Sequence, residues 1–254
     1  MSVRRYAAAA ARRIPRRPFR YVMPSSFWRR LFRFWLSVLA SDSDKRRAAR
    51  ELLTSYDDVY RALDRVAIEY DGGVHVKHRL TGYHDFFLER VEPGERVLDI
   101  GAGKGELAHD LATRKETTVV GIDRDPRHVA FARGRFRHDR LTFLEGDALD
   151  TLPHGRFDVV VLSNVLEHIG PRVEFLRRIV EAAEPKRVLL RVPVFARDWT
   201  VPLKAEVGLR PYWEPDHEIE YDPETFRAEL AEAGLDVTEL QLRWGEIWAV
   251  AEPA

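Results

Sequence analysis

Asp99 stands two residues ahead of Gly101, the first of three spaced glycines with Gly103 and Gly105, near the end of the short apolar run Val97–Ile100. Glycines here remove side chains that would hold the backbone away from a bound molecule, and they permit positive φ in a turn. Leu107, Ala108, Leu111 and Ala112 follow at helical spacing, so the segment reads as strand, tight turn and helix. A carboxylate at that strand end suits a cationic ligand. The dinucleotide fingerprint would need a small residue at 106; Glu106 stands there and would repel a pyrophosphate, which weakens a nicotinamide or flavin reading. Asp123, eighteen residues beyond Gly105, ends a second apolar run, and its two oxygens can accept both hydroxyls of a ribose. Asp147 ends a third and can accept from an adenine amino group.

Further along, the β-branched run from Phe157 to Leu162 leads into Ser163, Asn164, Val165, Leu166, Glu167 and His168. An imidazole titrates near neutral pH, so His168 is a candidate general base, with Glu167 beside it; capping or packing at the start of a helix is the alternative for His168. Between Pro193 and Pro223 lie some thirty residues without clear periodicity, holding Phe195, Trp199, Tyr212, Trp213 and Tyr221 among Arg197, Asp198, Asp216, His217 and Glu218. Loops that long are commonly functional, and the aromatic density argues for an ordered acceptor lid over about 193–222. Aromatics with carboxylates and histidines suit a sugar or an aromatic acceptor, and Asp198 and His217 join Glu167 and His168 as catalytic candidates. These groups with Asp216 could alternatively hold a divalent cation that acidifies a hydroxyl, but no tight ligand spacing marks a metal site and none is assigned.

The pattern D-x-G-x-G-x-G at Asp99–Gly105 resembles motif I of the class I S-adenosylmethionine-dependent methyltransferases. The Gly146-Asp147 pair resembles that family's adenine-binding position. The resemblance covers about residues 76–254 and implies that Asp99, Gly101, Ala102, Gly103 and Gly105 cradle S-adenosylmethionine. It further implies that Asp123 and Arg124 meet its ribose, Asp147 and Ala148 its adenine, that Ser163 and Asn164 also bind the cofactor, and that Glu167 and His168 lie next to the methyl. Adenine-methylating relatives carry Asn or Asp, Pro, Pro and an aromatic where Ser163-Asn164-Val165-Leu166 stands, which disfavours methylation of DNA bases. The expected reaction is in-line O-methylation of a small molecule or saccharide, with a His/carboxylate base; N- or C-methylation and an RNA-directed enzyme remain the alternatives.

Helices and strands alternate with short links through this region, which implies an α/β fold: a doubly wound, mostly parallel seven-stranded sheet. Leu235–Arg243 and Glu246–Glu252 are joined only through Trp244-Gly245, so they must pair antiparallel, giving a reversed last strand. Ahead of the sheet, Val74–Phe87 is dense in histidine and aromatics; the resemblance implies a helix here that covers the cofactor, which makes His78, Tyr83 and His84 candidates to reach it, with core or helix-surface packing as the alternative. Residues 23–75 read as a helical extension with helices over about 25–40 and 44–70, the second stopped by Gly72-Gly73.

The chain has 254 residues, 45% hydrophobic and 32% charged, enough for one α/β domain with an appendage. It has no cysteine, which removes disulfides, thiolate metal sites and cysteine nucleophiles. Its zero net charge hides an asymmetry: ten of the 41 bases are arginines within residues 1–33, where no acid occurs, so the remainder sets 31 bases against 41 acids, a net −10. Residues 1–22 read as a flexible basic arm, with an organellar transit peptide as a lesser alternative. The acidic remainder disfavours a nucleic-acid partner. Trp28, Leu31, Phe32, Trp35, Leu36 and Leu39 share one face of the first helix, with Arg29, Arg30 and Arg33 beside or opposite it. That face suits a peripheral membrane contact, packing on the domain, or a homodimer. The expected location is the cytoplasm, with membrane association through 25–40 as the alternative.

Overall fold

The computed structural model describes residues 23–153, 155–212 and 214–254. The basic arm assigned to 1–22 and the lid aromatic Trp213 lie outside the described residues. The chain divides into two compact units at Arg61/Ala62.

In the first unit α1 spans Ser25–Ala40, and Phe27, Trp28, Leu31, Phe32, Phe34, Trp35 and Val38 are all exposed on it. The second helix, α2, spans Lys45–Tyr70. The side chain of Asp44 accepts from the amides of Arg46 and Arg47, which satisfies two of the donors a helix start leaves open. At the other end the amide of Gly73 returns to the carbonyl of Ile68, with Gly72 at φ 72°, so the glycine pair stops the helix as its sequence implies. Among the described residues no helix is long and apolar enough to cross a membrane.

The second unit is built on seven strands: β1 Arg96–Ile100, β2 Thr118–Asp123, β3 Leu141–Glu145, β4 Val159–Ser163, β5 Arg187–Pro193, β6 Leu235–Arg243 and β7 Glu246–Pro253. They lie in the order β3-β2-β1-β4-β5-β7-β6. The first five are parallel, and β7 runs antiparallel between β5 and β6, as the two-residue Trp244-Gly245 link requires. Around the sheet stand α3 Lys77–Thr81, α4 Tyr83–Leu88, α5 Glu106–Arg114, α6 Pro126–Arg135, α7 Arg172–Ala183, α8 Thr200–Glu206 and α9 Pro223–Glu232.

Both sheet faces are buried, which is why the central strands are unbroken apolar runs. Leu98, Ile100, Val160, Leu162 and Leu190 point to the face covered by Phe175, Leu176 and Ile179 of α7 and Phe226 and Leu230 of α9. Their neighbours Val97, Val159, Val161 and Leu189 point the other way, with Phe86 and Phe87 of α4 and Leu107 and Leu111 of α5. Trp248 of β7 is fully buried there against Phe86, 5.4 Å between ring centroids. The register Ile100↔Ile122 and Ile100↔Leu162 brings the ends of β1, β2 and β4 level. The chain order reverses between β1 and β4, so the loops leaving them diverge and open a crevice at that rim, where open α/β sheets bind ligands.

Candidate active site

Gly101, Gly103 and Gly105 all take positive φ, at 71°, 55° and 85°. A Cβ on Gly101 would meet Val165 Cγ2 at 2.6 Å, so that glycine lets the turn after β1 close against the turn after β4. A Cβ on Gly103 would meet nothing within 4 Å, because this glycine faces open cavity. Gly105 has a different task from the one the resemblance implies: it lines neither cavity described below, caps α5 and packs its Cα side against Phe143.

Two cavities meet at this turn, sharing Gly101, Gly103 and His128. The first, about 270 Å³, is lined by Asp99, Ala102, Ser163, His75, His78 and Tyr83 among others. Asp99 is 2% exposed, and its Oδ2 has no hydrogen-bond partner. Burial, with the charge of Asp123 adding to it, pushes its carboxyl up to about 7. Burial also holds His78 down to about 3, so that imidazole is neutral. His84, expected to approach the same ligand, turns away and meets Asp110 at 2.8 Å instead.

The second cavity, about 370 Å³, is lined by Asp123, Arg124, Asp147, Ala148, Asn164, Val165 and His168 among others. Asp123 accepts from the amides of Gly103 and Asp125, each at 2.8 Å. A carboxylate has about four lone-pair positions, so two remain for a ligand's hydroxyls. Asp147 accepts from the amide of Leu149, which holds it at the rim. His128 was not singled out by its sequence context. Asp125 caps α6 and Pro126 begins it, which places residue 128 on the first turn, with Nδ1 3.5 Å from Asp123.

At the end of β4, Asn164 takes φ 56° and donates from Nδ2 to Oε1 of Glu167 at 2.8 Å. Glu167 is fully buried and its Oε2 is unpartnered; burial, only partly offset by Asn164, pushes its carboxyl up to about 7. It lines neither cavity, which corrects the expectation that it meets the acceptor directly. His168 does line the second cavity, with Nδ1 3.2 Å from Asp216 Oδ2, and burial lowers its pKa against the opposing pull of Asp216. His217, also buried and outside the cavity linings, stands 4.8 Å from the His168 ring. Burial would lower the His217 pKa, but its hydrogen bond to Glu220 and the charges of Glu167 and Glu220 outweigh burial and raise it.

The segment over about 193–222, expected to be the acceptor lid, is not a loop throughout, since α8 interrupts it. Its ends are closed by a bridge between Val194 and Tyr221, and the amide of Glu218 donates to the carbonyl of Glu167 at 2.6 Å. Asp198 is a correction: it lines neither cavity, and its carboxylate caps the start of α8 by accepting from the amide of Thr200 at 2.8 Å. Glu220, which the sequence did not single out, holds Nδ1 of His217 and the guanidinium of Arg197.

Residues 91–206 match the profile of a family described as a methyltransferase domain, on a sheet whose order and reversed β7 have just been set out. The chain is thus similar, over that stretch, to methyltransferase domains. It is similar to erythromycin 3''-O-methyltransferase of Saccharopolyspora erythraea, 40% identical over 108 residues, 39% of this chain and 34% of that protein. It is also similar to ubiquinone biosynthesis O-methyltransferase of Azorhizobium caulinodans, 32% identical over 170 residues, 62% of this chain and 65% of the relative. The chain therefore spans less than two thirds of the length of these relatives. A TehB-like S-adenosylmethionine-dependent methyltransferase from Corynebacterium glutamicum shares the fold, with TM-score 0.53 and 16% identity over 79% of this chain and all of the other.

The rim of this sheet fits S-adenosylmethionine. The unpartnered Asp99 Oδ2 offers an acceptor for the cationic amino-acid end, and Asp123 and Asp147 offer the lone pairs a nucleoside needs. Glu106, at the start of α5, is paired with Arg135 at 3.4 Å, so a carboxylate stands where a dinucleotide enzyme would seat its pyrophosphate.

Proposed function

We propose that the protein transfers the methyl group of S-adenosylmethionine to a hydroxyl of a small molecule or saccharide, with His168 taking the hydroxyl proton. The observation that carries this reading is that His168 lines the same cavity as Asp123 and Asp147, with Asp216 3.2 Å from its Nδ1. Its lowered pKa keeps the imidazole neutral at physiological pH and able to accept, and Asp216 stabilises the imidazolium that forms. The bound cofactor supplies a sulfonium methyl, whose transfer forms the O–C bond as the S–C electron pair leaves with sulfur. Arg124, 3.9 Å from Asp216, and the 194–221 segment frame the acceptor side. The names of the two O-methyltransferase relatives support oxygen as the acceptor atom.

The test is transfer of labelled methyl from S-adenosylmethionine to a panel of sugars, phenols, amines and RNA. Label on hydroxyl compounds, lost by two orders of magnitude or more in His168→Ala, is the expected result. Label confined to amines or RNA, or a His168→Ala enzyme as fast as wild type, would overturn it.

A separate observation supports recruitment of this activity to an anionic lipid surface. On α1 the exposed Trp28, Leu31, Phe32 and Trp35 adjoin Arg29, Arg30 and Arg33, and no acid occurs before Asp42. Such a helix lies in the headgroup region with its apolar side in the acyl boundary. Flotation with phosphatidylglycerol vesicles is the check: the protein should float, and Trp28→Ser/Trp35→Ser should not. Flotation of both alike sinks the idea, as does a dimer that buries this face.

A further inference from the structure

Glu167, His168 and His217 form a cluster whose ligand atoms all lie within 4.8 Å of one another. We infer that these three side chains form a binding site for one divalent transition-metal ion at the end of β4. The inference deepens the O-methyl-transfer reading by replacing its base: with the ion bound, His168 is a ligand and the ion acidifies the hydroxyl in its place, while ion binding itself does not depend on that reading.

Three features of the cluster point to a cation. Glu167 is fully buried, and only Oε1 is hydrogen-bonded, to Asn164; Oε2 has no partner. An ionised carboxylate out of water with an open oxygen is costly unless a cation or donor meets it. Nδ1 of His168 is likewise buried and unpartnered, for Asp216 Oδ2 is close at 3.2 Å but not aligned to accept from it. Two open polar atoms of the same cluster are thus buried side by side. Finally, Nδ1 of His217 is held by Oε1 of Glu220, itself 4% exposed. A carboxylate behind one ring nitrogen fixes the tautomer and orients the other nitrogen, the usual outer support of a metal-binding imidazole.

The donor set selects the ion. One carboxylate and two imidazoles favour a first-row transition ion such as Mn²⁺, Co²⁺ or Zn²⁺; Mg²⁺ and Ca²⁺ prefer oxygen alone. The backbone makes the site specific to the folded chain. Glu167 and His168 come from the turn after β4, His217 from the far end of the acceptor segment, and the amide of Glu218 bonds the carbonyl of Glu167 to join the two. His168 alone of the three lines the cavity, so the ion's flank on that side faces the acceptor, where a Lewis acid polarises a hydroxyl.

The experiment uses the full untagged chain, stripped with chelator and titrated with Co²⁺, read by visible d–d absorption and by the thermal midpoint. Wild type should bind one equivalent and gain stability with rising Co²⁺. His217→Ala and His168→Gln, both folded by circular dichroism, should each lose affinity at least tenfold and lose the stabilisation. Absence of saturable binding in wild type overturns the site, as does a double variant that binds Co²⁺ as tightly. S-adenosylmethionine binding to the stripped protein, measured in parallel by calorimetry, separates the two readings: its absence sinks the methyl-transfer assignment and leaves the ion site standing on its own titration.

Discussion

The amide of Gly103 donates to Oδ2 of Asp123 across 2.8 Å, tying the glycine turn after β1 to the acid at the end of β2. The acid thereby both shapes the turn and keeps lone pairs for a ribose. Asp123→Ala removes both functions and leaves the Gly103 and Asp125 amides without their acceptor. Affinity for S-adenosylmethionine should fall by about 2 to 4 kcal/mol, the cost of losing charged hydrogen bonds. Isothermal calorimetry is the measurement, and an unchanged dissociation constant would remove Asp123 from the site.

Asp99 predicts a pH dependence with a definite sign. Its carboxyl titrates near 3.8 when unfolded and is raised to about 7 by burial in the folded protein. The folded state therefore holds the extra proton, and this residue's contribution to stability is fully present below about pH 4 and lost as pH rises to about 7. The full loss is on the order of 4 kcal/mol. Asp99→Asn should lack this slope and be the more stable protein at pH 8, by urea unfolding of wild type and variant across pH 5 to 8. It should also bind the cofactor more weakly, since the amide carries no charge for the cationic end.

Gly101→Ala should destabilise the fold by about 2 kcal/mol, because φ 71° disfavours any Cβ and this one meets Val165 Cγ2 at 2.6 Å. Adding Val165→Ala should return the steric share and leave the conformational share. Denaturant unfolding of the single and double variants separates them, and additive losses would show that the two residues do not meet.

Asp198 and His168 should behave oppositely. Asp198 caps α8 at the surface, so Asp198→Ala should cost about 1 kcal/mol of stability and leave the rate of methyl transfer within about twofold. His168→Ala should fold normally and lose at least two orders of magnitude in rate. A large rate loss in Asp198→Ala would return that acid to the site.

Much of the cofactor side was legible in sequence because it is local. Alternating apolar runs define strands, and residues at or just beyond their C-terminal ends sit at the rim by construction, which is why the positions of Asp99, Asp123, Asp147 and His168 follow from sequence. The antiparallel β7 followed from a link too short for a crossover. Tertiary packing decided the rest. Nothing in the spacing of Glu167 separates a carboxylate that faces the acceptor from one that is buried behind it, because neighbours in a 3₁₀ turn point in different directions. Asp198 looked like His217 in sequence, two polar residues of one long segment, yet α8 keeps the first at the surface as a cap while the chain's return at Tyr221 carries the second to His168. Sequence determined which strand ends carry acids; only the folded chain brought residues fifty positions apart within reach of one another, because contacts at that separation depend on how the whole segment packs and not on any local period.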